Sequence, residues 1–82
     1  VVRVGEKHKM DNIILEITSV ESIFKFRNTE LLRIGYVLID GNYRSPEGYF
    51  FIRKEEDVRN AIERVIRNYK SVRDYIAGSL RR

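Results

Sequence analysis

Val58, Ile62, Val65, Tyr69, Val72 and Ile76 recur at intervals of 4, 3, 4, 3 and 4 residues, and a helix of 3.6 residues per turn places all six on one face. That spacing predicts one long amphipathic helix from about Lys54 to Ala77, flanked on its apolar side by Ala61, Ile66 and Leu80. Glu55, Glu56 and Asp57 then sit in the first turn, against the positive end of the helix dipole. Gly78 stands where a left-handed C-terminal cap is wanted. No Ser, Thr, Asp or Asn stands directly ahead of Glu55, so the start of the helix is weakly marked. The far face carries Arg59, Arg64, Arg67, Lys70 and, towards the seam, Arg73. Glu63 with Arg67 and Lys70 with Asp74 are spaced to pair at i,i+4.

An apolar stripe must be covered, and two covers suit this one. It packs on a sheet and completes the core of one molecule, or its last turns, through Tyr69, Val72 and Ile76, form a dimer seam with a second copy. The two are compatible, because a helix of ~24 residues is ~36 Å long and outreaches a five-residue strand of ~17 Å.

The chain upstream reads as strands. Val2 to Val4, extending towards Lys9, Ile13 to Val20 and Ile23 to Arg27 are separated by polar breaks at Asp11-Asn12 and Asn28-Thr29-Glu30. Leu32 to Asp40 is a fourth and more apolar run. Asp40-Gly41 is a hairpin signal, since both residue types tolerate positive φ. Ser45-Pro46-Glu47-Gly48 is a second turn, and Tyr49 to Ile52 a last strand. The expected fold class is α+β: an antiparallel meander of four or five strands over about residues 2–53, then the helix, in a single domain spanning 1–82. Neither a repeat nor a linker-like stretch divides it.

Composition excludes several functions. No apolar run approaches the ~20 residues that cross a bilayer as a helix, and the alternating N-terminal segment does not read as a signal peptide. The chain has no cysteine and one histidine, so neither a disulfide framework, a thiolate zinc site nor a multi-histidine metal site is expected. The absence of cysteine fits an intracellular, cytoplasmic setting. No phosphate loop, cysteine nucleophile or His-carboxylate cluster has catalytic spacing. A non-enzymatic protein without cofactor or metal is therefore expected. His8, between Lys7 and Lys9, reads as a solvated side chain at a strand end, and Asp11, Asp40 and Glu47 read as turn residues. Abundant Ile, Arg, Glu, Lys and Tyr without Gln, Cys or Trp is a balance met in thermophile proteins.

The net charge of +4 is uneven. Residues 1–40 carry six basic and six acidic side chains, whereas residues 58–82 carry seven basic against two acidic. Such a field draws polyanions, or serves solubility alone. In Phe24-Lys25-Phe26-Arg27 the period of two divides rings from cations. If the phenylalanines meet the helix, Lys25 and Arg27 stand on the open sheet face. The same parity buries Phe50 and Ile52 and exposes Tyr49, Phe51 and Arg53. Arg33 alternates with Ile34, and Tyr43-Arg44 lies between the two turns. These residues suggest an aromatic and basic platform for nucleic acid, single-stranded DNA or RNA, on which bases stack while cations meet phosphates. The alternative covers for Tyr49 and Phe51 are the N-terminal strand or a partner, and Arg59, Arg64 and Arg67 offer a second basic strip.

Gly35-Tyr36-Val37-Leu38-Ile39-Asp40, then Pro46-Glu47-Gly48, then an apolar strand running into Glu55-Glu56, resemble the positive cofactor four and Whirly-like single-stranded DNA-binding proteins. That resemblance implies a curved antiparallel sheet that binds single strands, helices that contribute to a homodimer, and backbone contacts from Lys25, Arg27, Arg33 and Arg53. Tyr43 to Val65 also resembles the three-stranded integrase-arm or plant-type DNA-binding domain, which implies duplex reading by the sheet. The function expected is single-stranded DNA binding without catalysis or membrane contact, with a homodimer through the C-terminal helix. The rival is a protein-interaction or assembly module that uses the same helix seam and has no nucleic-acid role.

Overall fold

The computed structural model describes residues 2–80. The side chain of Leu80, placed by the periodicity beside the helix stripe, lies outside the described residues, as do Val1, Arg81 and Arg82. The fold is α+β: strands β1 (Lys7–Met10), β2 (Ile13–Phe26), β3 (Thr29–Asp40), β4 (Tyr43–Arg44) and β5 (Gly48–Arg53) precede one helix, α1 (Val58–Leu80). The sheet is antiparallel in the order β1-β2-β3-β4, with β5 also paired to β3. β4 meets β3 at Ile39 and Asp40, whereas β5 runs beside Leu31 to Tyr36. The two are thus successive pieces of one lane, and the Ser45 hydroxyl, accepting the Leu38 N–H at 2.8 Å, spans the break between them.

The two runs expected at Ile13 to Val20 and Ile23 to Arg27 are one strand. Its pairing with β3 shifts register between Ile17 and Ser19 and again between Ser22 and Phe24. Each shift inserts a bulge residue, Thr18 and Ile23, and reverses which side chains face the helix. The first expected strand lies later, because Val4 and Gly5 form a turn and pairing begins at Lys7. Asp11 and Asn12, at φ 54° and 67°, make the tight turn expected between β1 and β2. The next break falls at Arg27-Asn28, and the third turn is Gly41-Asn42, because Asp40 still pairs with Tyr43.

The helix begins at Val58, four residues later than its stripe predicts. Asp57 is the reason: its carboxylate accepts the Arg59 backbone N–H at 2.9 Å, satisfying a donor of the first turn as an N-cap does. Glu55 and Glu56 remain outside, and Glu56 instead closes a turn by accepting the Arg53 N–H at 3.0 Å. The helix also continues through Gly78, which is not its cap.

Ile13, Leu15 and Ile17 of β2, Ile34 and Leu38 of β3 and Ile52 of β5 are buried against Ala61, Ile62 and Ile66 of α1. Removing such branched side chains from water supplies about 1.5–3 kcal/mol each, the largest contribution favouring the fold. Val58, Val65 and Tyr69 pack at the margin of this core. Past Tyr69 the stripe is uncovered, with Val72 58% and Ile76 50% exposed. At the other end, the β2–β3 hairpin runs beyond the helix start. The molecule is accordingly elongated, 54 × 21 × 19 Å.

Among the helix cations, neither i,i+4 pair predicted from the spacing forms. Lys70 reaches Asp11 at 2.9 Å and Arg73 reaches Asp40 and Asp74, each at 3.1 Å. Asp11, at the end of the sheet, thus takes the place of the i,i+4 partner of Lys70, and Asp40 shares Arg73 with Asp74.

Candidate nucleic-acid interface

Residues opposite one another on paired strands share a face, so the register assigns every candidate. Leu32, Ile34, Tyr36 and Leu38 face the helix; Leu31, Arg33, Gly35, Val37 and Ile39 face the other way. On β5, Phe50 and Ile52 accordingly face inwards, whereas Tyr49, Phe51 and Arg53 lie on the open face as their parity predicted. Arg44 opposes Ile39 and also lies there.

Lys25, Arg27 and Tyr43 are placed otherwise, as are Phe24 and Phe26. Phe24 opposes Leu31 and Phe26 opposes Thr29, so both phenylalanines lie on the open face, 54% and 57% exposed. Lys25 opposes Glu30 and is turned to the helix side. The cause is the Ile23 bulge, which reverses the parity assumed for an isolated run. Arg27 occupies the hairpin turn at φ 56°, its guanidinium 5.1 Å from the centre of the Phe26 ring. Tyr43 opposes Asp40 on the helix side, where its ring stacks on Tyr69 at 6.2 Å.

The hairpin tip therefore carries an aromatic cluster. Phe24 and Phe26 are nearly parallel at 19° with centroids 6.5 Å apart. Phe51, 56% exposed, stands two strands away with Arg53 two residues along the same strand. Arg53 is 3.7 Å from Glu56, a loose contact between exposed groups that leaves the cation reachable.

Towards the middle of the sheet the open face changes character. Arg33 donates to Glu21 at 2.6 Å and its guanidinium stacks over the Tyr49 ring at 4.9 Å. The Tyr49 hydroxyl donates to Glu47 at 2.8 Å, and the Thr18 hydroxyl donates to the same carboxylate. These bonds hold Glu47 below its ordinary carboxylate value, with Thr18 contributing most, and raise Tyr49 through its bond to Glu47. A Cβ at Gly35 would overlap the Ser19 hydroxyl and meet the Thr18 hydroxyl and Glu47 at 3.0 Å, so a larger residue there displaces the side chains of this network. Further along, Arg44 lies 3.6 Å from Glu16.

The dimer-seam candidates also divide. Tyr69 belongs to the monomer, since its ring packs at the core margin and its hydroxyl donates to Asp40 at 2.9 Å. Burial, and then that bond, raise its titration. Val72 and Ile76 are exposed, together with Tyr75 at 76%, which the 4-3-4 stripe did not include. Of the outer-face arginines, Arg59 pairs with Asp57 at 3.2 Å, while Arg64 and Arg67 make no ion pair among the described residues. His8 is half-buried on the helix side, 2.6 Å from Glu6, rather than solvated.

Among the described residues no three His, Cys, Asp or Glu side chains gather as a metal site requires. No helix there is long and apolar enough to cross a membrane. Phe24 and Phe26 are the residues sequence parity left off the platform; they share the face of Ile14 and Glu16 only because two bulges cancel between them, which no local sequence signal marks. No protein-family model, curated protein or solved structure matches the chain.

Proposed function

We propose that the chain binds single-stranded nucleic acid at the open face of the β2–β3–β5 tip. The observation that carries this reading is the placement of Phe24, Phe26 and Phe51, each more than half exposed, on one sheet face, with Arg27 at the hairpin turn and Arg53 level with Phe24 across β3. Exposed rings offer stacking surfaces for unpaired bases, and arginines at their margin meet phosphates. A duplex hides its base faces, so the same rings favour single strands.

Fluorescence anisotropy with labelled single-stranded and duplex oligonucleotides, at low and high salt, tests the reading. Single strands are expected to bind more tightly than duplex, with affinity falling as salt rises. Absence of binding to either at low salt rejects it.

The helix end supports a second reading, a homo-oligomeric assembly module. Val72, Tyr75 and Ile76 form an exposed apolar strip on turns that extend past the sheet. Sedimentation across a hundredfold range of concentration tests it, and a monomer throughout rejects it.

A further inference from the structure

We propose that the outer edge of β5 is an interface on which a second copy of this chain adds its own β5 in antiparallel register, Phe50 opposite Phe50, so that the two sheets become one. This interface does not depend on the nucleic-acid reading, and it is a different surface from the apolar strip at the helix end.

The hydrogen-bonding parity of β5 is set at its end. Lys54 donates its N–H to the Glu30 carbonyl of β3 at 2.9 Å, and successive residues of an antiparallel strand turn their backbone groups to alternate sides. Gly48, Phe50 and Ile52 therefore bond to β3, while Tyr49, Phe51 and Arg53 turn outwards. Arg53 is closed off locally: its N–H donates to the Glu56 carboxylate at 3.0 Å, and its carbonyl accepts the Glu56 N–H at 2.9 Å. Among the described residues no strand pairs with this side of β5. The N–H and C=O groups of Tyr49 and Phe51 are thus left without a strand partner. A second β5 with Phe50 opposite Phe50 sets Tyr49 against Phe51 in both directions, and these groups of the two copies then satisfy one another completely.

Side chains favour the same register. Arg53, held only loosely by Glu56 at 3.7 Å, falls opposite Glu47 of the second copy, a cross-strand pair of opposite charge at each end of the interface. Tyr49 and Phe51 meet as aromatic pairs on the open face, and Phe50 meets Phe50 on the helix side. The two edges of the sheet also differ in what they present. β1 has four residues and carries Lys7 and Lys9, and lysine on a short strand is a usual means of keeping an edge unpaired. β5 has six residues and no charged side chain between Gly48 and Arg53. A two-fold axis perpendicular to the sheet keeps both open faces on one side, so the second copy sets its own Tyr49 and Phe51 beside those of the first.

Amide hydrogen exchange of the wild-type chain, followed by NMR alongside sedimentation from low to high protein concentration, tests the interface. Sedimentation is expected to show monomer passing to dimer. Exchange at Tyr49 and Phe51 is expected to slow about tenfold or more with that passage, while Lys7 and Lys9 on the β1 edge keep their rates. The chain has no cysteine, so Phe50→Cys supplies a single thiol. Opposed residues of a pair that shares no hydrogen bond stand about 4.5 Å apart at Cα, within the ~4.4–6.8 Å that a disulfide spans. Phe50→Cys is therefore expected to form a linked dimer on mild oxidation about tenfold faster than Lys9→Cys on the opposite edge. If circular dichroism shows that Phe50→Cys is not folded, exchange in the wild type decides alone. A monomer at every concentration overturns the interface, as does a folded Phe50→Cys that links no faster than Lys9→Cys. A dimer in which Tyr49 and Phe51 exchange as in the monomer also overturns it and assigns assembly to the helix end. Each of these results leaves nucleic-acid binding by the open face intact.

Discussion

Arg73 Nη1 stands 3.1 Å from Asp40 Oδ2, joining the last sheet-packed stretch of the helix to the end of β3. The same oxygen accepts the Tyr69 hydroxyl, so one carboxylate anchors two side chains of α1. Arg73 and then Tyr69 hold the Asp40 carboxyl below its ordinary value. A carboxyl depressed by folding contributes stability that is present above its unfolded value of ~3.9 and is lost as pH falls through the folded value. Asp40→Asn is therefore expected to lower the urea midpoint at pH 7, with the gap to wild type narrowing below pH 4. An equal gap at pH 7 and pH 2 would contradict this role.

Burial along the helix predicts a graded series of alanine substitutions. Ile66 is fully buried, so Ile66→Ala is expected to cost about 2–5 kcal/mol through lost transfer energy and the cavity left behind. Ile76→Ala, on the overhanging turns, is expected to stay within about 0.5 kcal/mol in dilute protein. Equal costs in urea titrations would mean that Ile76 is covered in solution. Repeating the titration at higher protein concentration would then show whether a second copy covers it.

Gly48 has a side chain resting where its own would begin. A Cβ there would come 2.8 Å from the Tyr36 hydroxyl oxygen and 2.9 Å from the ring carbon bearing it. The Tyr36 ring, packed beside Phe50 at 5.7 Å, has little freedom to move. Gly48→Ala is expected to destabilise by about 1–3 kcal/mol as an overpacking change. Tyr36→Leu in the same chain should recover part of the loss, which a double-mutant cycle by thermal melting measures.

On the open face, Phe24→Ala and Phe51→Ala are each expected to weaken single-strand binding by about 1–3 kcal/mol, roughly fivefold to 150-fold. Tyr49→Phe, whose ring already lies beneath Arg33, should change it less than about twofold. Anisotropy titrations at one fixed salt concentration make the comparison. A larger loss at Tyr49 than at Phe24 would move the platform to the middle of the sheet.

The fold was largely legible in the chain because long, strongly periodic segments carry their own evidence. The stripe from Val58 to Tyr69 and the apolar run into Asp40 each announced an element that the structure contains. Element ends were less legible, since they depend on single hydrogen bonds such as Asp57 to Arg59, which decide where a helix starts. The candidate face was half legible. β5 alternates without interruption, so Tyr49, Phe51 and Arg53 fell on the open side as read. Ile23 carries no local mark of being an inserted residue, so treating Ile23 to Arg27 as a separate run put Phe24 and Phe26 on the wrong side. Tyr43 was misjudged for a related reason: its two-residue strand is too short to show a period, and its partner Tyr69 lies 26 positions away in the chain.

The paired bulges of β2 give one strand two independent phases. Thr18 reverses the alternation set by Ile13, Leu15 and Ile17, and Ile23 reverses it again. Length changes at the hairpin tip are thereby uncoupled from the core, because a single inserted or deleted residue near Ile23 exchanges the faces of Phe24, Lys25 and Phe26 while Leu15 and Ile17 keep theirs. The tip is in this sense an interchangeable part. Its outward chemistry, aromatic at present and cationic after one deletion, is set by counting residues rather than by replacing them.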